Sequence, residues 1–189
     1  DDGFQNSRIK KDLSLVVVDS QILFGNELIF PLGPLREPIQ SGLSRADAIV
    51  LIDYNPSVIN SKINKLKKDY KVEFLDGLVN EKKVIGYSSN KNVLAFSGIA
   101  FPEKFHNSLK RLKYTIVKTK VFPDHYPFTI KDILKLKKLA ESKNLQLITT
   151  EKDMVRIPKI FHELIDQIQI EFKFRNPDKI KELIRKKLS

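Results

Sequence analysis

Leu13-Ser14-Leu15-Val16-Val17-Val18 is a β-branched run that ends at Asp19-Ser20, and Ala48-Ile49-Val50-Leu51-Ile52 is a second apolar run. Neither has the alternating polar face of a half-exposed strand, so both read as strands of a parallel sheet covered on its two sides. Between them lies a loop over 24–38 rich in turn formers: Gly25, Pro31, Gly33, Pro34 and Pro38. A loop of that length with no element of its own is a functional candidate. After the second run, Asn55-Pro56 opens a helix with Val58, Ile59, Ile63 and Leu66 on one face.

From Lys71 to Tyr87 the pattern changes. Short apolar stretches are broken by Asp76-Gly77 and by the charged Asn80-Glu81-Lys82-Lys83, which predicts a small hairpin or linker. A second alternating run then begins. Its strands are expected at Val93–Phe96, Tyr114–Lys118, Leu145–Ile148 and Gln167–Phe172, and its helices near 102–111, 129–142 and 177–188. Asn176 caps the last of these, Pro177 takes its first position, and Ile180, Leu183, Ile184 and Leu188 form its apolar stripe. Strands alternating with helices imply an α/β fold with parallel, doubly wound sheets. The expected organisation is a first unit over 1–70, a hairpin linker over 71–90 and a second α/β unit over 91–189. The first has only two clear strands and reads as the end of a larger sheet.

Composition narrows the function classes. The chain has 189 residues and no cysteine, which excludes disulfides, thiolate catalysis and cysteine-ligated metal centres. No apolar run is long enough to span a membrane. The net charge of +11 would suit an anionic partner. Lysine dominates it, however, in clusters such as Lys62, Lys65, Lys67, Lys68 and Lys131, Lys135, Lys137, Lys138. Lysines at helical spacing, without interleaved Arg and aromatic residues, read as solvated helix faces with some attraction to acidic lipid headgroups, and no nucleic-acid partner is expected. The chain opens on Asp1 and its single Met is Met154, so it is expected to begin inside a longer protein.

Several segments carry chemistry. Asp1-Asp2-Gly3-Phe4-Gln5 sets two carboxylates before a glycine; after a strand, such acids hold Mg²⁺ against nucleotide phosphates. In the long loop, Arg36 could clamp a phosphate, while Glu37 could bind a ribose hydroxyl or orient that arginine. His125 lies past a strand between Pro123 and Pro127, beside Asp124, an acid able to orient an imidazole. His106 and His162 sit in helical stretches without acid–base companions and read as structural or surface residues. Thr149-Thr150-Glu151-Lys152-Asp153 reads as a helix cap first, and Gly98 alone is weak evidence for a phosphate cradle.

In order, Asp-Asp-Gly-Phe-Gln (1–5), Val-Asp-Ser (18–20), Gly-Pro-Leu-Arg-Glu-Pro (33–38), Arg-Ala-Asp-Ala (45–48), Phe-Ser-Gly-Ile-Ala (96–100), Phe-Pro-Asp-His-Tyr (122–126) and Thr-Thr-Glu-Lys-Asp (149–153) span nearly the whole chain. Together they resemble the tetraacyldisaccharide 4'-kinase family of lipid A biosynthesis. The resemblance implies a P-loop-kinase-like protein with two α/β lobes joined by a small two-stranded linker. Such a protein transfers the γ-phosphoryl group of ATP, with Mg²⁺, to the 4'-hydroxyl of an acylated disaccharide lipid at the cytoplasmic face of a Gram-negative inner membrane. By motif, Asp1 and Asp2 look like the metal-holding acids, with Asp2 also catalytic. Gln5, Arg36 and Glu37 look like nucleotide-side residues. His125 looks like the histidine that, with an acid from further upstream, activates the sugar hydroxyl. Asn6 stands where the family commonly has histidine. No G-x-x-x-x-G-K-[ST] occurs in these residues, so the phosphate cradle would come from a missing amino-terminal region and this chain alone is expected to be inactive. The alternative is a non-catalytic remnant, or a split half that needs a separate partner.

Overall fold

Both apolar runs near the amino terminus are strands, and helices cover them on both sides. The computed structural model describes residues 3–54, 61–86 and 90–188. These fall into two units, Asp1–Val79 with Phe172–Ser189, and Asn80–Glu171.

In the first unit, β1 (Leu15–Asp19), β2 (Ala48–Ile52) and the start of β3 (Glu73–Ile85) run parallel, with Val17 opposite Val50 and Val50 opposite Leu75. Side chains alternate across a strand, so one run feeds two cores. Val18, Ile49 and Leu51 pack with Leu43 of α1 (Ile39–Leu43) and with Ile63 and Leu66 of α2 (Ser61–Asp69). The expected opening of α2, with Asn55, Pro56, Val58 and Ile59, lies outside the described residues. The lysines of α2 point away from this core, and Lys67 lays its ammonium 4.6 Å from the centre of the Tyr54 ring.

The stretch expected to form a hairpin is instead one continuous strand. Leu75 is buried between β2 and the opposite helix layer, which holds the chain extended. Gly77 is a contact glycine, since a Cβ there would stand 2.3 Å from the Phe172 ring. β3 is the sheet neighbour of β7 (Ile165–Phe174), and these two strands carry the chain between the units. The linker is therefore two-stranded, but its strands are distant in sequence.

In the second unit, β4 (Asn92–Ser97), β5 (Thr115–Val121), β6 (Gln146–Thr150) and the start of β7 are parallel, in the order β7-β6-β4-β5. Val93 and Ala95 face Phe105 and Leu109 of α3 (Pro102–Arg111). Leu94 and Phe96 face Ile133, Leu136 and Ala140 of α4 (Ile130–Glu141) and Met154 of the short α5 (Glu151–Met154). This is a doubly wound α/β layer. Thr129 closes a capping box at the start of α4, where its side chain accepts from the Asp132 amide and Asp132 answers at the Thr129 amide. His162 meets the Ile157 carbonyl at 2.9 Å, and burial pushes the His106 imidazole down in pKa.

The last helix, α6 (Pro177–Leu188), belongs to the first unit, not to the second as the sequence boundaries suggest. Asn176 does cap it, accepting from the Asp178 amide at 3.1 Å. Ile180 and Leu183 cover Ala48, Val50 and Leu75. Asp47 fastens this layer by accepting from the Ser14 amide at 2.7 Å and pairing with Lys187 at 2.5 Å. Burial raises the pKa of its carboxyl, but those two partners outweigh burial and hold it below the usual carboxylate range. Among the described residues no helix is long and apolar enough to cross a membrane.

Candidate functional site

The long loop of the first unit is folded on itself. The Leu35 amide donates to Leu28 O at 3.1 Å and the Phe30 amide to Leu35 O at 2.7 Å. Asn26 Nδ2 reaches Leu32 O at 2.9 Å. Gly33 is required there, since a Cβ would come within 2.2 Å of Asn26 Oδ1 and 2.3 Å of Leu28 O. The loop feeds Arg36 and Glu37 to a cavity of about 300 Å³ that is also lined by Gln5, Phe24 and Leu43.

Glu37 does not orient Arg36. Its Oε1 accepts from Arg45 Nη2 at 2.6 Å and from Gln5 Nε2 at 3.2 Å, while the Arg36 guanidinium lies 5.5 Å from the centre of the Phe30 ring. Arg45 in turn stacks 5.3 Å from the centre of the Phe4 ring, in the short 3₁₀ turn Gly3–Gln5. The hydrogen bond from Arg45 is the main reason the Glu37 carboxyl lies below its usual pKa. Burial opposes it, while Ser41 and Gln5 help. Three of the motifs thus meet here: Gln5 from the first, Glu37 from the loop and Arg45 from Arg-Ala-Asp-Ala. Asp1 and Asp2 lie outside the described residues. Among the described residues no group of three His, Asp or Glu could hold a metal ion.

The second unit gathers three other motifs at the carboxyl ends of β4, β5 and β6, the edge where open parallel sheets place ligands. The loop after β5 is pinned at intervals. Phe122 N–H donates to Ser97 O at 2.8 Å, His125 N–H to Gly98 O at 3.1 Å, and the Tyr126 hydroxyl to Asp132 at 3.2 Å. Phe122, Tyr126 and Phe128 stack on one another, and Phe128 meets Phe96 of the core edge-on at 5.6 Å. From this fixed loop the His125 side chain projects to solvent, 86% exposed, on a backbone with φ 58°. Asp124 does not hydrogen-bond the imidazole. Its Oδ1 accepts the His125 amide at 3.0 Å, and its Oδ2 stands 3.9 Å from Nε2.

Beneath the loop, Asp153 is fully buried. It accepts from Gly98 N–H at 3.1 Å and from the Thr150 hydroxyl at 2.8 Å, and Arg156 lies 3.3 Å away. Thr150 caps α5 by accepting from the Asp153 amide, as the motif suggested.

A family model described as Tetraacyldisaccharide-1-P 4'-kinase matches residues 1–189. The chain belongs to that family. A tetraacyldisaccharide 4'-kinase of Bradyrhizobium diazoefficiens is 37% identical over 186 residues, covering 97% of this chain and 55% of that protein. One from Paramagnetospirillum magneticum is 43% identical over 158 residues, covering 84% of this chain and 47% of its own. The chain thus spans about half the length of the curated relatives it matches. The crystal structure of LpxK from Aquifex aeolicus in complex with ATP superimposes with a TM-score of 0.67 at 23% identity, over 100% of this chain and 56% of that one. At that identity the likeness concerns the fold, a mixed α/β architecture of the class expected from the alternating strands and helices.

For a tetraacyldisaccharide 4'-kinase family member, sequence reading missed Arg45 and Arg156 as site residues. Arg45 had a signal, since it begins a quoted motif. Arg156 had none, because its partner Gly98 is 58 positions away.

Proposed function

We propose that the chain serves ATP-dependent phosphorylation of the 4'-hydroxyl of a tetraacyldisaccharide 1-phosphate, a lipid A precursor, at the cytoplasmic surface of a Gram-negative inner membrane. The observation that carries this reading is His125, an exposed imidazole on a fully fastened loop at the ligand-binding edge of a parallel sheet. Phosphoryl transfer asks a protein mainly for positioning and charge neutralisation. His125 accepts the proton of the attacking hydroxyl, while the cavity of the first unit, with Gln5, Arg36 and Glu37, offers donors and an acceptor to the nucleotide. The fit to a nucleotide is partial, because the phosphate cradle of a P-loop is absent from these residues. Mg²⁺, when bound, neutralises charge on the transferring phosphates. Asp1 and Asp2 are its proposed ligands, and Asp2 is also proposed to take part in catalysis. The acylated substrate brings the protein to the membrane surface, where its lysine-rich helix faces meet acidic headgroups.

The missing cradle favours a second reading for the isolated chain, that of a half that works only with a P-loop partner, or of a remnant without activity. The test is transfer of labelled γ-phosphate from ATP to the disaccharide lipid. The chain alone is expected to transfer none, and addition of a P-loop-bearing segment from a relative is expected to restore transfer. In that restored enzyme, His125→Ala removes a general base and lowers the rate by about 10²–10⁴-fold. Full transfer by the His125→Ala enzyme overturns the role of His125. A chain that stays inert with every P-loop segment is a remnant.

A further inference from the structure

Gly98 is the most flexible kind of residue at the place where flexibility would do most harm. Its carbonyl shares the His125 amide with Asp124 Oδ1, and His125 sits in the left-handed region that residues with a Cβ avoid. A freely turning glycine could not hold such a conformation in its neighbour. Yet a side chain here would be crowded, because a Cβ would stand 3.0 Å from Pro123 O and 3.1 Å from Tyr126 Cβ.

The two peptide planes on either side of Gly98 are instead clamped from below. Asp153 Oδ1 accepts the Gly98 N–H at 3.1 Å, which fixes the plane before it. Arg156 Nη1 donates to Gly98 O at 3.3 Å, which fixes the plane after it. Arg156 is itself held 3.3 Å from Asp153, and Asp153 is anchored by the Thr150 hydroxyl at 2.8 Å. We propose that Asp153 is a positioning residue for the reaction. With Arg156 it locks both peptides of Gly98, and Gly98 in turn holds His125 in the conformation that presents its imidazole. The short helix over Glu151–Met154 then serves the site as a bracket. The catalytic consequence rests on the role given to His125 above, but the mechanical coupling does not.

That independence decides the experiment. Amide hydrogen exchange of the 189-residue chain, resolved by NMR to single residues, is measured for the parent and for Asp153→Asn, which keeps an acceptor but loses the charge that holds Arg156. Exchange at the His125 and Gly98 amides is expected to rise about tenfold, while Leu94 and Ile148 in the strand cores stay within about twofold. If only the amides of 151–154 speed up, Asp153 is a helix cap and the proposal fails. If Asp153→Asn loosens the whole unit, Arg156→Gln decides, since Arg156 is partly exposed and the variant keeps Asp153 on the Gly98 amide. It must speed exchange at His125 more than at Leu94, and equal rates overturn the proposal. In an enzyme completed with a P-loop segment, both variants lower kcat and leave KM for ATP unchanged. Loosening of His125 without any loss of kcat would keep the coupling and remove the proposed role of the histidine.

Discussion

Each unit holds an arginine–carboxylate pair at its candidate site, and the two pairs are built differently. Arg45 and Glu37 are 2.6 Å apart, with side chains 47% and 20% exposed. Arg156 and Asp153 are 3.3 Å apart, with 22% and 0% exposed. The longer contact is the one on which its surroundings depend. Water screens the first pair and can replace either partner, whereas the second has no such substitute for Asp153. The first pair borders a cavity and can reorganise around a ligand. The second lies under a loop and holds it still. Burial and the number of groups served, more than the separation of the charges, rank the two.

The sharpest way to break this ranking is to remove both carboxylates in turn. Asp153→Ala leaves Arg156 and the Gly98 amide without their buried partner and is expected to cost about 3–5 kcal/mol in urea denaturation. Glu37→Ala should leave the midpoint close to that of the parent. Equal losses would mean that burial does not distinguish the pairs.

A methyl group probes the same contrast at the two glycines that touch these carboxylates. At Gly98 it meets backbone and loop atoms that cannot withdraw, so Gly98→Ala should destabilise by about 1–3 kcal/mol. At Gly42, inside α1, it meets only the Glu37 side chain at 3.6 Å, an ordinary contact. Gly42→Ala should therefore be neutral or stabilising by up to about 1 kcal/mol, since glycine is a poor helix residue. The thermal midpoint should fall for Gly98→Ala and hold or rise for Gly42→Ala.

The smallest effect is the acid response of the first pair. The Glu37 carboxyl titrates lower in the folded chain than unfolded, chiefly because of Arg45. Its contribution is then complete above the ordinary glutamate range and is lost as pH falls through the folded value. Glu37→Gln should accordingly lower the thermal midpoint slightly at pH 7, and its difference from the parent should vanish as pH falls below about 4.5 and through the folded value. A difference from the parent that is the same in acid as at pH 7 would show that Glu37 acts through packing and not through charge.

The parts of this molecule that were legible in the sequence are those where the nearest neighbours decide the structure. Val93-Leu94-Ala95-Phe96 can be little else than a strand covered on both faces, and Asn176-Pro177 announces its helix. β3 was hidden because Asp-Gly and a charged run have the composition of a turn. Only the distant Phe172 ring explains why a glycine is needed at Gly77. His125 stood out between its prolines, but adjacency did not foretell the geometry. Asp124 gives its Oδ1 to the His125 amide and keeps its Oδ2 3.9 Å from Nε2. The buried acid on the Gly98 amide, Asp153, is far along the chain. Adjacency misled once more at Arg36-Glu37, where neighbouring side chains diverge and Glu37 finds Arg45 one helix later. In both places the contacts a side chain makes are not those its nearest neighbour in the chain suggests.

The return of α6 to the first unit has a consequence for how this chain is made. Ala48, Val50 and Leu75 are synthesised before the second unit, and the helix that covers them follows only after it. At about 5–20 residues per second, the ribosome exposes that apolar face for several seconds while residues 80–171 emerge and fold. The second unit is an insertion that can mature on its own schedule, whereas the first depends on a helix made after that insertion. A premature stop between residues 171 and 180 would therefore spare the second unit and leave the first uncapped, as a target for chaperones and proteases.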